Sequence, residues 1–269
     1  MSLNWPRWAA GAALLAFSGY ALAMGWLYLR QEKLLFQPDV LPADHRFALG
    51  DDVHELSLTV PGARLSALHL KLPSPRGLVF FLHGNAGSLQ NWFVNVDFYR
   101  RANYDLFMLD YRGYGKSTGH IGSEAQLRAD VRMAWEQVAP QYKGLPRVVY
   151  GRSLGTGLAA GLAAEVGPDL TVLVSPYSSM QALMREHFPL VPPALLRYPL
   201  DTGLAAAQIA RPLLLVHGTQ DPLIAPAHSE AVRARAPGAR LVFIEGAAHN
   251  DVHEFDSYLR LFSETLAAL

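Results

Sequence analysis

A serine between two glycines follows a short apolar run and precedes a segment of small residues. Ser153 stands in the pattern Gly-x-Ser-x-Gly, after the run at 147–150 and before the small-residue segment at 156–164. This order predicts a strand, a sharp turn and a helix, the setting in which a serine becomes a nucleophile. Only glycines at the flanking positions let strand and helix pass so closely, and the serine itself is expected to adopt a strained backbone conformation.

A serine hydroxyl is a weak nucleophile, so it needs a base and a group that orients the base. Asp221 lies just beyond the apolar run at 213–216, and His249 lies just beyond the run at 241–244. The chain order Ser, Asp, His is that of a triad built on strand ends. We therefore predict Ser153 as nucleophile, His249 as general base and then acid, and Asp221 as the residue that orients the imidazole.

A glycine-rich loop offers donors for the negative charge that such a reaction develops. The apolar run at 78–82 leads into the loop at 83–87, where the backbone N–H of Asn85 can face a reacting carbonyl. The second donor is the N–H of Leu154, directly after the serine. We predict an oxyanion hole made by Asn85 and Leu154.

These motifs resemble those of α/β-hydrolases, specifically the membrane-anchored serine hydrolases with an HGNxG oxyanion loop. The resemblance extends from about residue 34 to the end and is carried by HGNAG at 83–87, LDYRGYGKS at 109–117, GRSLG at 151–155, SPY at 175–177, HGTQD at 217–221 and GAAHND at 246–251. It implies acyl transfer to water. Members of this group include esterases, lysophospholipases, thioesterases and peptidases, so the resemblance does not select the acyl donor.

Composition excludes several other classes of protein. The 269 residues are 51% hydrophobic, enough for a large core, and Lys+Arg and Asp+Glu both number 23, which gives no electrostatic reason to expect nucleic acid. The chain has no cysteine, so disulfides, thiolate metal sites and cysteine catalysis are excluded. The ten histidines show no metal-ligand spacing, and no phosphate loop is present. We expect no cofactor and no metal.

The N-terminal segment predicts a membrane anchor. Residues 8–29 contain no charged side chain and are long enough to span a bilayer, with aromatic residues at both ends. A cleaved signal peptide is the alternative, although the apolar run continues past a possible cleavage site at 21–23. Arg7 on one side nearly balances Arg30 and Lys33 on the other. We favour a single-pass anchor at 1–33 with an extracytoplasmic catalytic domain at 34–269.

The rest of the chain predicts an α/β-hydrolase fold, with a mostly parallel, doubly wound sheet. Segments 53–60 and 65–72 predict an antiparallel hairpin that turns at 61–62. Parallel core strands are expected at 78–82, 105–109, 147–150, 170–174, 213–216 and 241–244, with helical patterns between them. No second domain is expected beside the anchor.

One stretch, 178–210, lacks a core strand and predicts a short cap insertion. Met180, Leu183, Met184 and Phe188 fit one face of an amphipathic helix, and prolines interrupt the residues after that helix. Its position between two catalytic strands favours a cap that lines an acyl pocket, whereas a plain packing helix is the alternative.

Other polar residues compete for roles in the site. His83 and His217 are each expected to bond their own loop, and Asp110 is expected to pair with Arg112 to organise the loop at 111–117. Asp251 and Asp201 are alternatives to Asp221 as the triad acid. Asp251 lies too close to His249 in sequence and Asp201 precedes a core strand, so chain order favours Asp221.

The resulting hypothesis is a membrane-anchored serine hydrolase that cleaves carboxylic esters of lipid-like acyl substrates. An acyl-protein thioesterase or a serine peptidase would use the same triad. A catalytically silent α/β-hydrolase fold that serves as a binding protein is the alternative from a different class. The expected partners are a small-molecule or lipid substrate and a membrane, but not nucleic acid.

Overall fold

A twisted eight-stranded sheet forms the centre of the computed structural model, which describes residues 5–269. Residues 1–4 of the predicted anchor lie outside the described residues. The strands are β1 Gln37–Pro38, β2 Val53–Val60, β3 Ala63–Leu70, β4 Gly77–Leu82, β5 Ala86–Gly87, β6 Tyr104–Leu109, β7 Arg147–Arg152, β8 Leu170–Val174, β9 Leu213–Gly218 and β10 Arg240–Ile244. Eight of these ten described strands form the central sheet, and β1 and β5 form a separate two-stranded sheet. The helices are α1 Trp5–Leu35, α2 Leu89–Trp92, α3 Val96–Ala102, α4 Glu124–Val138, α5 Gly155–Val166, α6 Met180–His187, α7 Thr202–Ala206, α8 Ala227–Arg235 and α9 Asp256–Ala267. Short 3₁₀ turns occur at Ala139–Tyr142, Pro193–Leu195 and Val252–Glu254.

The strand order of the sheet is β10-β9-β8-β7-β4-β6-β3-β2. All neighbours are parallel except β3, which is antiparallel to β6 and to β2. The N-terminal hairpin and the parallel core were both predicted, and the structure confirms them. Because the carboxyl ends of parallel strands share one edge, the loops after β4, β7, β9 and β10 all open on the same side of the sheet.

Both faces of the sheet are covered, as its continuous apolar strands require. Phe80 of β4 points into one layer, where its ring centroid lies 5.4 Å from that of Trp135 in α4. The next residue, Phe81, points into the opposite layer and stacks on Tyr150 of β7 at 4.4 Å. This alternation along a buried strand is typical of a doubly wound sheet with helices on both faces.

The N-terminal helix α1 is long and carries an apolar surface. Its segment Trp8–Leu35 has a mean hydropathy of 1.5, is of a length that could cross a bilayer, and is not buried by the rest of the chain. A signal sequence has the same properties. The helix continues two residues past the predicted domain boundary at 33, and Phe36, directly after it, packs edge-on against Tyr198 at 5.1 Å.

The chain that leaves α1 pairs with the loop that follows β4. Strand β1 lies parallel to β5, so that Gln37 pairs with Ala86 and Pro38 with Gly87. The pairing was not predicted, because the region at 37–52 is polar and contains prolines, and a two-residue strand has no periodicity to detect. The contact matters for the site, since β5 belongs to the predicted oxyanion loop.

Candidate active site

Ser153 lies in a sharp turn between β7 and α5. Its φ is +51°, in the left-handed region that a residue with a Cβ occupies only under strain. A Cβ on Gly151 would lie 2.6 Å from the carbonyl oxygen of Gly155, and a Cβ on Gly155 would collide with the carbonyl oxygen of Leu82. The two flanking glycines are therefore needed for the close passage of strand and helix, as the sequence predicted.

The histidine loop after β10 brings His249 to the serine. The Nε2 atom of His249 lies 2.9 Å from Ser153 Oγ, and its Nδ1 atom lies 2.7 Å from Asp221 Oδ2. The three residues are 9%, 8% and 7% exposed in the order Ser153, His249, Asp221. The imidazole can thus accept the serine proton on one side while its other nitrogen donates to a carboxylate.

Four donors surround the carboxylate of Asp221. Oδ1 accepts from the backbone N–H groups of Leu223 and Ile224, both at 2.9 Å, and Oδ2 faces His249 and, at 3.3 Å, the Nε2 atom of His217. Burial raises the pKa of Asp221, but the hydrogen bonds from His217, His249 and Ile224 outweigh burial and hold that pKa well below its usual range. Asp221 is therefore a carboxylate whenever the protein is folded near neutral pH.

The predicted oxyanion donors lie on the two loops nearest the serine. Leu154 directly precedes α5, so its N–H belongs to a helix start, where negative charge is stabilised. Among the described residues, neither the Leu154 N–H nor the Asn85 N–H donates a hydrogen bond. The carbonyl of Asn85 accepts from Gln37 N–H at 2.9 Å and from Tyr114 Oη at 2.6 Å.

Arg152 is a site residue that sequence reasoning did not identify. Its guanidinium donates to the carbonyls of His249 at 3.1 Å and Asn250 at 2.7 Å, and it lies 3.0 Å from His253 Nδ1. It also lies over the ring of Trp92, 5.4 Å from the centroid. A buried cation thus fixes the backbone that carries the histidine. The only sequence signal was its place between Gly151 and the serine.

The other acids considered for the triad have structural roles. Asp251 Oδ1 accepts from Ala248 N–H at 2.7 Å, and Asp201 caps α7 by accepting from Leu204 N–H at 2.8 Å. Neither contacts His249. The geometry therefore gives Asp221, among these three acids, the position that chain order assigned to it.

The expectation of an ion pair between Asp110 and Arg112 is wrong. Arg112 instead makes a two-point contact with Asp130 of α4, at 2.5 and 2.8 Å. Asp110 accepts from Leu89 N–H at 2.9 Å and faces His83. Asp130 lies one helix further along the chain, and nothing in the local sequence indicated that partner.

The two discounted histidines bond within their loops, as expected. His83 Nδ1 lies 2.8 Å from the carbonyl oxygen of Gly84. His217 bonds the carbonyl of Ile224 at 2.8 Å and Ser229 Oγ at 2.6 Å. The contact between His217, near the end of β9, and Asp221, in the loop after β9, was not predicted, because only the folded turn brings the two side chains together.

A cavity of about 630 Å³ is lined by Arg152, the residue directly before the serine, but Ser153, His249 and Asp221 are not among its lining residues. Polar residues on its walls include Arg152, Asn250 and Asp39. Seven of its lining residues are Phe, Tyr or Trp: Phe81, Trp92, Phe98, Tyr99, Tyr150, Tyr258 and Phe262. A Cβ on Gly84 would lie 2.7 Å from the ring of Trp92 and 3.5 Å from Ser153 Cβ, so one wall residue of the cavity and the serine both lie next to Gly84. The lining contains no residue of 178–210, so this cavity is not the pocket expected beneath the cap.

Within residues 5–269, no group of three His, Asp or Glu side chains is arranged to hold a metal ion. The site itself offers side chains and backbone N–H groups for catalysis. Those comprise a hydroxyl, an imidazole, a carboxylate and two unbonded N–H donors, which is a set suited to acyl transfer.

Comparison with known proteins identifies the family of this chain. The family model described as "Serine aminopeptidase, S33" matches residues 73–203. Alpha/beta hydrolase domain-containing protein 17B of Xenopus laevis is 31% identical over 220 residues, which cover 79% of this chain and 74% of the relative. The human 17B protein is 31% identical over 212 residues, covering 76% and 71%.

Solved structures show the same fold. An esterase from Pyrococcus furiosus superposes with a TM-score of 0.69 at 18% identity, covering 87% of this chain and 97% of that one. An identity of 18% shows only that the two proteins share a fold. The family is shown by the sequence relatives, which are 31% identical to this chain. The chain therefore belongs to the α/β-hydrolase superfamily, in the family of the alpha/beta hydrolase domain-containing 17 proteins, and is a serine hydrolase.

Proposed function

We propose that this serine hydrolase cleaves carboxylic esters of lipid-like acyl substrates through Ser153, His249 and Asp221. One observation carries the proposal: a single imidazole lies within hydrogen-bond distance of both the serine hydroxyl and a buried carboxylate. A hydroxyl in that position can lose its proton as it attacks, and the carboxylate stabilises the imidazolium that forms.

The reaction would proceed in two acyl transfers. Ser153 Oγ attacks the carbonyl carbon of the ester while His249 takes the proton, and the oxyanion is held by the N–H groups of Asn85 and Leu154. His249 then gives the proton to the leaving alcohol, and the C–O bond breaks to leave an acyl-enzyme. Water attacks that ester while His249 takes its proton; the bond between the acyl carbon and Ser153 Oγ then breaks, His249 returns the proton to Ser153 Oγ, and the acid is released.

The aromatic cavity supports a hydrophobic acyl group as the bound part of the substrate. Its volume falls in the range of about 300–1,000 Å³ that is usual for small-molecule sites. Trp92, which lines the cavity, and Ser153 both lie next to Gly84, so we propose that an acyl chain whose carbonyl is at Ser153 extends toward the cavity. Each methylene buried there contributes up to about 0.8 kcal/mol, or about fourfold in affinity.

The membrane part of the proposal depends on α1. We propose that residues 1–33 form a single-pass anchor and that 34–269 form the catalytic domain, with 178–210 as its cap. An apolar helix that the protein itself leaves unburied needs another apolar environment, and its length matches a bilayer. This places the catalytic domain against a lipid surface, and an extracytoplasmic side is our preferred topology.

The test is a matrix of acyl-chain lengths against ester, thioester and aminoacyl-amide leaving groups, using the full chain in detergent. We expect esters to react fastest, with kcat/KM rising from acetate to medium chains. Leu259→Trp, which fills part of the cavity, should flatten the rise and leave acetate turnover unchanged. Fastest cleavage of thioesters would favour a thioesterase, and fastest cleavage of amides would favour a peptidase, as the name of the matching family model suggests.

A fluorophosphonate probe separates the enzyme from the catalytically silent alternative. Because the probe reacts only with an activated serine, the wild-type chain should be labelled and Ser153→Ala should not. An unlabelled wild-type chain would contradict the catalytic proposal as a whole.

A further inference from the structure

The segment 188–196, here called the cap tip, carries an apolar surface into solvent. Between His187 and Arg197 the sequence FPLVPPALL has no charged side chain. Phe188 is 63% exposed and Leu190 is 80% exposed. Single exposed apolar residues are common, but a continuous uncharged run with large side chains outward indicates an interaction surface.

The backbone of the cap tip has few unpaired donors. Three of its nine residues are prolines, which carry no N–H. Of the six N–H groups, four donate within the chain: those of Phe188, Val191, Leu195 and Leu196. A segment with so few free donors loses little when water is removed, which is the condition that a hydrocarbon environment imposes.

The cap tip is docked on α1. Tyr20 Oη donates to the carbonyl of Leu190 at 2.8 Å, and Gln31 Nε2 donates to the carbonyl of Leu195 at 2.9 Å. Gln31 Oε1 accepts from Arg197 N–H at 2.6 Å. These bonds pair carbonyls of the cap tip with side chains of the apolar helix, so the two apolar surfaces are continuous.

A second set of contacts closes the junction at the end of the helix. Glu32 forms an ion pair with Arg197 and accepts from Tyr198 Oη at 2.9 Å. The guanidinium of Arg197 also lies over the ring of Tyr28, 5.5 Å from its centroid. The charged and aromatic groups thus gather at one level, as they do where a membrane protein leaves the bilayer.

Helix geometry gives the depth of the cap tip. Trp26 and Tyr28 mark the aromatic level near the end of the apolar run, and Arg30 and Lys33 follow it. Tyr20 lies six residues before Trp26, which is about 9 Å along a helix. Leu190, bonded to Tyr20, is therefore at a level about 9 Å below the aromatic belt, within the depth of about 5–10 Å that interfacial elements reach.

We propose that the cap tip inserts into the same lipid leaflet that holds α1, so that the protein contacts the membrane at two points. This inference rests on the proposed membrane anchor and adds a second, independent contact. Phe188 and Leu190 would enter the acyl-chain region, and the exposed Arg185 before the tip would reach the headgroups, as Arg197 does after it. The opening of the active site would then face chains supplied from the leaflet.

The occupant is lipid because α1 continues the surface. A second copy of this chain could cover Leu190, but it would leave the bonded face of α1 beside it uncovered. The aromatic and charged groups at residues 26–33 lie at the level expected for an interface with lipid. A self-association outcome is included in the test.

The experiment uses single-cysteine variants, since the chain has no cysteine of its own. Leu190→Cys reports the cap tip, Leu22→Cys reports the anchor, and Leu145→Cys, an exposed leucine before β7 at the opposite sheet edge, is the control. Each full-length variant is labelled with an environment-sensitive fluorophore in phosphatidylcholine vesicles with and without doxyl lipid. We expect the doxyl lipid to quench the labels at 22 and 190 and to leave the label at 145 bright.

The outcomes separate the inference from its premise. Quenching at 22 without quenching at 190 would overturn the insertion of the cap tip and leave the anchor standing. No quenching at 22 would remove the anchor and the inference with it. Rapid disulfide cross-linking of Leu190→Cys between chains, without quenching at 190, would assign this surface to a second copy.

A charge placed in the cap tip gives a functional readout. Leu190→Asp should lower kcat/KM on an ester embedded in vesicles by on the order of tenfold, since a carboxylate replaces a leucine that lipid covers. Turnover of a short, soluble ester should stay unchanged, which excludes misfolding as the cause. Leu145→Asp, the matched control, should change neither. Equal turnover of the embedded ester by both variants would contradict the proposal.

Discussion

The turn at Ser153 and the loop at 83–87 lie at the same sheet edge, but different parts of the chain hold them in place. The carbonyl of Ser153 is bonded by Thr156, three residues later, through both its N–H and its hydroxyl. The carbonyl of Asn85 is bonded by Gln37, 48 residues earlier, and by Tyr114, 29 residues later. Ser153 is held by its own turn and by the neighbouring strand β8, where its N–H donates to the carbonyl of Val174 at 3.0 Å, whereas the loop at 83–87 depends on the chain that leaves α1.

This difference links helix α1 to the geometry of the candidate active site. Any displacement of residues 37–39 relative to the domain would reach Asn85 through the β1–β5 pairing. The turn at Ser153 has no such connection, because strand β7 lies inside the sheet between β4 and β8. Variants of the two regions should therefore differ in kind: those of the turn should abolish the reaction, and those of the loop should slow it.

The largest effect is expected from Ser153. Ser153→Ala and Ser153→Gly should both lower kcat by about 10⁴- to 10⁶-fold, because the nucleophile is absent in each. The two variants should differ in stability, because glycine adopts a φ of +51° without strain and alanine does not. The free energy of unfolding of the glycine variant should therefore be about 1 kcal/mol larger than that of the alanine variant. Urea denaturation in detergent measures the difference, and equal stabilities would argue against strain at this turn.

The next largest effect is expected from Asp221. Asp221→Asn should lower kcat by about 10⁴-fold with little change in KM, because the amide would hold the imidazole in the wrong tautomer. Asp251→Asn is the control, since an amide oxygen can still accept from Ala248 N–H. Steady-state kinetics on a soluble ester distinguish the two, and a full loss in the Asp251 variant would move the triad acid to that residue.

The contrast between contacts close in sequence and contacts far apart in sequence also explains which features the sequence could predict. The Gly-x-Ser-x-Gly turn, the positions of the core strands along the chain and the closeness of His249 to Asp221 follow from short motifs and apolar runs. The pairing of Gln37 with the oxyanion loop, the contact between Arg112 and Asp130 and the docking of α1 on the cap tip do not. Each joins residues far apart in sequence through one or two hydrogen bonds, and no periodicity records such a pair.

A buried network of hydrogen bonds also joins residues that are far apart in sequence, and it predicts how stability depends on pH. His69 Nε2 lies 2.7 Å from Tyr142 Oη, which donates to Asp105 at 2.5 Å. Burial lowers the pKa of His69 to about 4, with a smaller contribution from the nearby charges of Lys71 and His54. In the unfolded chain His69 takes up a proton near pH 6.5, whereas in the folded chain it does so only near pH 4. The free energy of unfolding therefore decreases as the pH drops below 6.5.

The free energy of unfolding should decrease by about 2 kcal/mol between pH 7 and pH 5 on account of this histidine. His69→Gln keeps a donor for Tyr142 and does not titrate, so its stability should change less over the same range. Denaturation curves at the two pH values measure this. An equal loss of stability in wild type and variant between pH 7 and pH 5 would show that folding does not lower the pKa of His69.

The smallest effect, and the one that tests the opening comparison most directly, is expected from Tyr114. Tyr114→Phe removes one of the two donors to the Asn85 carbonyl and leaves the ring in place. Tyr104→Phe is the matched control: its hydroxyl is also buried and donates to a backbone carbonyl, that of Leu266, at 2.9 Å. Each variant should lose about 1 kcal/mol of stability, the usual value of one such bond.

Only the Tyr114 variant should lose activity. Both donors fix the peptide that follows Asn85, so losing one loosens the loop that carries the Asn85 N–H without removing that N–H. Complete loss of an oxyanion donor costs about 10²- to 10³-fold in kcat, so a misplaced donor should cost less, about tenfold. KM for a short ester should hardly change. If Tyr104→Phe slowed turnover as much as Tyr114→Phe, the loss would reflect general destabilisation, and the proposed dependence of the oxyanion loop on distant residues would be wrong.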